Sequence, residues 1–502
     1  MRMSKSPRSF RTIACTVAAM GLVLAGSVSA TAATSEASTP VPINPPDGTV
    51  MSYVVNTGQA NPGQTRKAEK AVTDAGGVVV QSWPEIGVVI AQSDRAAFRD
   101  TVKAKGRGAV ASVGATRTVE VKDKVTGPQA PWGPGSSGWN QGKNKPLNGD
   151  EPTEPVPATG SDSLEGQQWD LTMIQADQAH QVTDGSRNVL VGVLDSGIDP
   201  THPDLQANID VADSVNCTAG GRPDQSEGGW YPTTSDHGTH VAGTIAGVRN
   251  GVGVVGVAPN VRLASVKVVN DDGFIYPEYA VCGFMWAAQR GMDVTNNSYY
   301  IDPFEFWCDD QPDQAAVREA VARAVNWSSE KGVVSAAAAG NSHVDLTVNT
   351  EDLGSPDDAA TPTPRTINAG CKDIPAQVPG VVTVSSIRQT GDLSYFSNRG
   401  LGEIDVAAPG SRILSTIPGG YGLKSGTSMA SPHVAGVLAL MKSAHPELTP
   451  AQLVQKLEDD ATPTPCSAPQ VVPGIPAPAC VGTPELNSYY GHGIVNALKA
   501  VQ

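Results

Sequence analysis

Apolar and polar positions change their period along this chain, and the changes divide it. Residues 51–55 form a short apolar run that predicts a strand, and residues 65–75 predict a helix that ends at Gly76-Gly77. Runs at 78–80 and 88–90 predict two more strands about a turn at Pro84, residues 95–104 a second helix, and 109–121 contains a last strand. That β-α-β-β-α-β order is the order of a small ferredoxin-like α+β module. Residues 122–166 are rich in Gly, Pro, Ser and Asn and read as a flexible linker. Beyond them, continuous apolar runs at 189–194, 262–269, 294–297, 333–337 and 381–385 alternate with helical stretches. Strands apolar on both sides need cover on both faces, so this part predicts an α/β layered fold with a mainly parallel sheet.

Length and composition narrow the class. A chain of 502 residues is long for one domain and predicts two to three. It opens with Arg2, Lys5, Arg8 and Arg11, an apolar run from 13 to 28, and small residues around Ala30 and Ala32. This is the pattern of a secretory signal, assigned to residues 1–32, and no later segment qualifies as a membrane span. The formal charge of −15 and the pI near 5.0 argue against a nucleic-acid partner. Cys15 leaves with the signal, and Cys217, Cys282, Cys308, Cys371, Cys466 and Cys480 remain. In an exported chain an even set implies disulfides; Cys466 and Cys480 bracket a proline-rich loop and are the first pair to expect.

Three segments carry candidate chemistry. The run 189–194 ends in Asp195-Ser196-Gly197, which places a carboxylate at the carboxyl end of a parallel strand. Asp236-His237-Gly238-Thr239-His240 sets a histidine at the start of a small-residue helix. Gly426-Thr427-Ser428-Met429-Ala430 sets a serine ahead of the apolar run 434–441, where a helix N-terminus offers unpaired N–H groups. A serine hydroxyl is a poor nucleophile at neutral pH and needs a base, and the base needs a partner to hold its tautomer. His237 and His240 stand at i and i+3, yet no His-Glu-x-x-His pattern or third ligand accompanies them, so His240 and likewise His433 read as structural.

Asp, His and Ser in that chain order, each in this local setting, resemble the subtilisin-type serine proteases. The resemblance extends over 169–501 and implies a three-layer subtilisin-like fold. It implies the roles of orienting carboxylate for Asp195, base for His237 and nucleophile for Ser428. Gly340-Asn341 resembles the family's strand end, which implies an oxyanion donor in the Asn341 amide. The family's substrate-pairing strand and first specificity pocket fall at Ser298, Tyr299, Tyr300 and Gly340. Tyr300 and Ile301 stand where glycine is usual, and a ring there would narrow the pocket. Residues 342–379 run longer than in simple members, which leaves the far wall of the pocket unassigned. Asp204 and Asn250, with the carbonyls of Val248, Val252 and Val254, resemble ligands of a structural calcium, with Arg249 an unusual neighbour for a cation; catalysis needs no cofactor.

The resemblance further implies an order of signal 1–32, inhibitory propeptide 33–121, linker and maturation region 122–166 and catalytic domain 167–502. The expected product is a secreted, monomeric zymogen of a serine endopeptidase that acts on protein or peptide substrates and is inhibited by its own propeptide. The competing reading is a catalytically silent peptide-binding protein on the same fold, which predicts loss of at least one catalytic position.

Overall fold

In the computed structural model, which describes residues 36–122, 163–467 and 478–502, side-chain alternation along each strand sorts the core into layers. The signal segment and nearly all of the linker lie outside the described residues. Residues 37–502 form one unit.

Its N-terminal part contains β1 (Met51–Thr57), α1 (Pro62–Asp74), β2 (Val78–Trp83), β3 (Val88–Ser93), α2 (Phe98–Lys105) and β4 (Val110–Ala115), with the antiparallel sheet order β2-β3-β1-β4. Helix α1 begins three residues before its sequence pattern does. Asn61 caps it by accepting from Gln64 N at 2.9 Å, and Pro62 fits the first turn, where no N–H is needed. Tyr53, Val55, Val89 and Ala91 share a core with Val72, Phe98 and Val102. The alternate residues Val54, Val88 and Ile90 project the other way and join the core of the second domain. Because strand side chains alternate, one thin sheet serves two cores.

The second domain is built on eight strands: β5 (Leu190–Asp195), β6 (Val215–Ala219), β7 (Arg222–Asp224), β8 (Arg262–Lys267), β9 (Val294–Asn297), β10 (Val334–Ala338), β11 (Val381–Ile387) and β12 (Val406–Pro409). Their order is β12-β11-β10-β9-β5-β8-β6-β7, with every pairing parallel except β6 with β7. Helices α3 (His237–Ala246) and α6 (Thr427–Ala444) cover one face, sharing a core with Val191, Val193 and Ala336. Helices α4 (Pro277–Gln289) and α5 (Pro312–Glu330) cover the other, against Leu190, Leu194 and Ala337. The expected three-layer α/β fold is present. Strand bounds shift by one or two residues from the apolar runs because backbone pairing, not apolarity, ends a strand.

The six cysteines among the described residues are paired, as Cys217–Cys282, Cys308–Cys371 and Cys466–Cys480. The last is the pair anticipated from the proline-rich loop. Cys308–Cys371 staples the short antiparallel pair Trp307–Cys308 and Cys371–Lys372.

The N-terminal module sits on α4 and α5. Asn56 Nδ2 donates to Ala316 O at 2.8 Å, Ser112 Oγ to Glu319 Oε2 at 2.8 Å, and Arg323 Nη2 to Thr57 O at 2.9 Å. Past β4, Arg117 forms a buried ion pair with Glu278 and lies over the Tyr276 ring, 3.7 Å from its centroid. Burial alone would lower the Arg117 pKa, but Glu278 foremost raises it, and the net direction is up. Next in line, Thr118 N donates to Asp358 Oδ2 at 2.9 Å.

Candidate active site

Asp195 ends β5 fully buried, and Ser196 N donates to its Oδ1 at 2.7 Å. His237 opens α3 and directs Nδ1 at both Asp195 oxygens, 2.9 Å each. A carboxylate only accepts, so Nδ1 carries the proton and Nε2 is the basic nitrogen. The close approach depends on Gly238. A Cβ there would stand 2.4 Å from Gly197 O and 3.1 Å from Asp195 Oδ1.

Ser428 is the second residue of α6 and 5% exposed. Its hydroxyl donates to Ser298 O at 3.1 Å, and Ser298 Oγ returns a bond to Ser428 O at 2.8 Å. The return bond has a cause in the sequence. Residue 432 is a proline inside the helix, so it has no N–H to close the i→i−4 bond on the Ser428 carbonyl. Ser298 takes that place, and is itself held by Asn296 Nδ2 at 2.8 Å, while Ser431 Oγ donates to Asn296 Oδ1 at 2.7 Å.

Asn341 lies just past the end of β10. Its Oδ1 accepts from Thr427 N at 2.8 Å and Thr427 Oγ1 at 2.9 Å, which fixes which end of the amide is oxygen. A Cβ on Gly426 would sit 3.6 Å from both Asn341 Nδ2 and Ser428 N. Two N–H sources therefore border one open volume beside the serine, an arrangement suited to a developing oxyanion. Gly340 has φ +97°, and a Cβ there would come within 2.3 Å of Asn398 Nδ2, so only glycine fits.

The other expected site residues fall in different places. Tyr299 is interior, with its hydroxyl on Asn297 Oδ1 at 3.0 Å; burial first, and Asp195 next, push its pKa well up. Ile301 is fully buried. Tyr300 is partly exposed and donates to Asp357 Oδ2 at 2.9 Å. His240 and His433 are structural: His240 Nε2 reaches Ile413 O at 3.0 Å, and His433 bridges Met429 O at 2.8 Å and Asp170 Oδ2 at 2.9 Å. Burial pushes the His240 pKa well below its ordinary value.

The Asp204 loop does not fit the calcium expected there. Asp204 Oδ2 accepts from Val254 N at 2.9 Å and Oδ1 from Asn250 Nδ2 at 3.1 Å. Asn250 spends its oxygen on Val252 N at 2.9 Å. A hard cation wants converging oxygens, and all three side-chain oxygens of Asp204 and Asn250 are already engaged by N–H groups. Arg249 instead pairs with Glu165, 2.9 and 3.0 Å from its two oxygens, and the neighbourhood already holds its positive charge.

Sequence reasoning missed Thr427, Asn296 and Pro432 as parts of the site. Thr427 was visible beside the serine. The role of Pro432 could have been inferred from a proline four residues after Ser428; nothing in the sequence marked Asn296.

Residues 186–493 match the family model described as the subtilase family. Subtilisin E of Bacillus subtilis (strain 168) is 35% identical over 335 residues, 66% of this chain and 71% of that one. Subtilisin Savinase of Lederbergia lenta is 33% identical over 335 residues, 66% of this chain and 98% of that one. Among solved structures, the epidermin leader peptide processing serine protease of Staphylococcus aureus aligns over 90% of this chain and 98% of that one, with TM-score 0.61 and 22% identity. Fervidolysin from Fervidobacterium pennivorans, a keratinolytic enzyme related to subtilisin, covers 90% of this chain and 61% of that one, with TM-score 0.59 and 24% identity.

Proposed function

The chain belongs to the subtilase family of serine proteases, and on that premise we propose a secreted endopeptidase, made as a zymogen, that cleaves peptide bonds through an acyl-enzyme on Ser428. The observation that carries the assignment is the buried Asp195 holding His237 Nδ1 through both oxygens, which leaves Nε2 to act as base. Rotation of the Ser428 hydroxyl from Ser298 O hands its proton to Nε2 as Oγ attacks the substrate carbonyl. The charge that builds on the substrate's carbonyl oxygen is met by Asn341 Nδ2 and Ser428 N. His237 then protonates the leaving amine, and water repeats the sequence on the acyl-enzyme while Asp195 stabilises the imidazolium.

The N-terminal module is the inhibitor in this reading. Its support is the interface on α4 and α5, and the path past β4, where Arg117 and Thr118 engage Glu278 and Asp358. Secretion rests on the signal pattern and the three disulfides; no helix among the described residues is long and apolar enough to cross a membrane. The Asp204 loop works as an ion-pair lock without calcium.

The test is secretion of the wild type and of Ser428→Ala, mass determination, and labelling with a fluorophosphonate. A wild type that sheds the module and labels, beside a mutant that stays long and unlabelled, supports catalysis and self-processing together. A wild type that is shortened yet never labels defeats the enzyme reading in favour of a peptide-binding protein matured by another protease.

A further inference from the structure

Around Gly340 and Asn341 the chain gathers carboxylates that the catalytic mechanism does not use. Asp373 is 1% exposed, and neither of its carboxylate oxygens has a hydrogen-bond partner among the described residues. Its Oδ2 lies 3.4 Å from where a Gly340 Cβ would be, so the bare face of that glycine opens onto it. Glu305 stands close by, accepting from Ser342 Oγ, the residue after Asn341. Asp357, which holds the Tyr300 hydroxyl, adds to the negative field on Glu305. Burial first, and Glu305 next, push the Asp373 pKa well up, the response of a carboxyl group that faces like charge without a cation.

Two positive side chains of the neighbouring segments are committed elsewhere. Arg365 is spent on Asp352, at 2.7 and 3.1 Å, and Lys372 pairs with Glu403 at 3.0 Å. An unpaired buried carboxylate is costly to keep, and a cation that enters its site is bound by charge and hydrogen bonds together.

Position identifies the cation. The oxygen that Asn341 would hold belongs to the residue just before the cleaved bond. That residue's side chain therefore leaves the backbone beside Gly340, on the side where Asp373 lies. We propose that Asp373 and Glu305 form the floor of the first specificity pocket and select lysine or arginine immediately before the cleaved bond. The assignment rests on the protease reading above and supplies its substrate class. It also gives Tyr300 a place: its hydroxyl is tied to Asp357, and the ring forms part of the acidic wall rather than a plug.

The experiment uses enzyme secreted from the full chain and a peptide series differing only at the residue before the cleaved bond: Arg, Lys, norleucine, Leu and Phe. The expected kcat/KM for Arg and Lys exceeds that for norleucine by about 10²-fold or more. Asp373→Asn, and separately Glu305→Gln, each shrink that ratio at least about tenfold by lowering the basic substrates selectively. Benzamidine inhibits the wild type competitively and the variants more weakly. Melting curves identify any variant that fails to fold, and the wild-type profile decides the matter without it. Equal or better cleavage after the neutral residues overturns the proposal. So does a basic preference that emerges only with EDTA, which would assign the carboxylates to a metal ion. A wild type that neither cleaves any peptide nor labels with fluorophosphonate fails one step earlier, at the protease reading.

Discussion

Ser298→Ala tests how the helix that carries Ser428 is held. The hydroxyl it removes donates to Ser428 O and accepts from Asn296 Nδ2, both at 2.8 Å, and all three residues are buried where water cannot substitute. Each stranded polar group costs about 1–3 kcal/mol, so the expected loss is roughly 2–6 kcal/mol, or about 3–8 °C in melting temperature for a domain of this size. The size alone would not identify the cause, but Pro432 does. In a Pro432→Ala background, residue 432 regains the N–H that closes the helical bond on Ser428 O. The Asn296 loss is common to both backgrounds and cancels. Ser298→Ala should therefore cost about 1–2 kcal/mol less in the Pro432→Ala background than in the chain that keeps Pro432. The assay is a double-mutant cycle by thermal melting at one scan rate, in Ser428→Ala chains so that self-digestion does not intrude. Equal losses in the two backgrounds, within about 0.5 kcal/mol, would refute the idea that Ser298 stands in for the missing backbone donor.

Four further outcomes follow from the same geometry. Asn341→Ala should lower kcat by about 10²–10³-fold with KM nearly unchanged, the magnitude measured in a subtilisin for such a donor, and steady-state kinetics on one peptide checks it. Arg117→Ala in the full chain, carrying Ser428→Ala to keep the module attached, leaves the fully buried Glu278 without its cation. It should cost about 3–5 kcal/mol of module docking, read as faster proteolytic nicking of residues 51–115. Glu305 is pushed up to about 7, by burial first and Asp352 second. The folded protein then holds this proton where the unfolded chain releases it, so stability falls as pH rises from the ordinary glutamate range to about 7 and levels beyond; Glu305→Gln should flatten that slope in melting curves taken across the window. Finally, EDTA should leave the melting temperature unchanged, since Arg249 and Glu165 occupy the Asp204 neighbourhood, and a chelator-induced drop would restore calcium to that loop.

The layered fold was legible because its strands are apolar on both sides: 189–194 and 381–385 can only be interior, and their ends point to the site. Segments at the candidate site were legible for a related reason. Small residues such as Gly238 and Gly426 stand where backbones must approach, and they leave a pattern in the sequence. What stayed hidden depends on contacts between distant segments. The capping of α1 by Asn61 was a local signal that went unread. Asp373, in contrast, sits in a stretch with no periodicity, and its meaning arises only when the chain brings it beside Gly340. Tyr299 shows the converse: its neighbours in sequence suggested the substrate cleft, but just past the end of β9 its ring is buried with its hydroxyl on Asn297, while Tyr300 stays partly exposed.

The Cys308–Cys371 bond lies three residues after Glu305 and two before Asp373. One covalent tie thus sets the spacing of both carboxylates assigned to the pocket floor, while Asp195, His237 and Ser428 stand on sheet and helix that it does not join. Discrimination and reactivity are thereby given separate dependences on redox surroundings. With the pocket floor proposed above, a reducing compartment would cost the enzyme its choosiness before its capacity to cut.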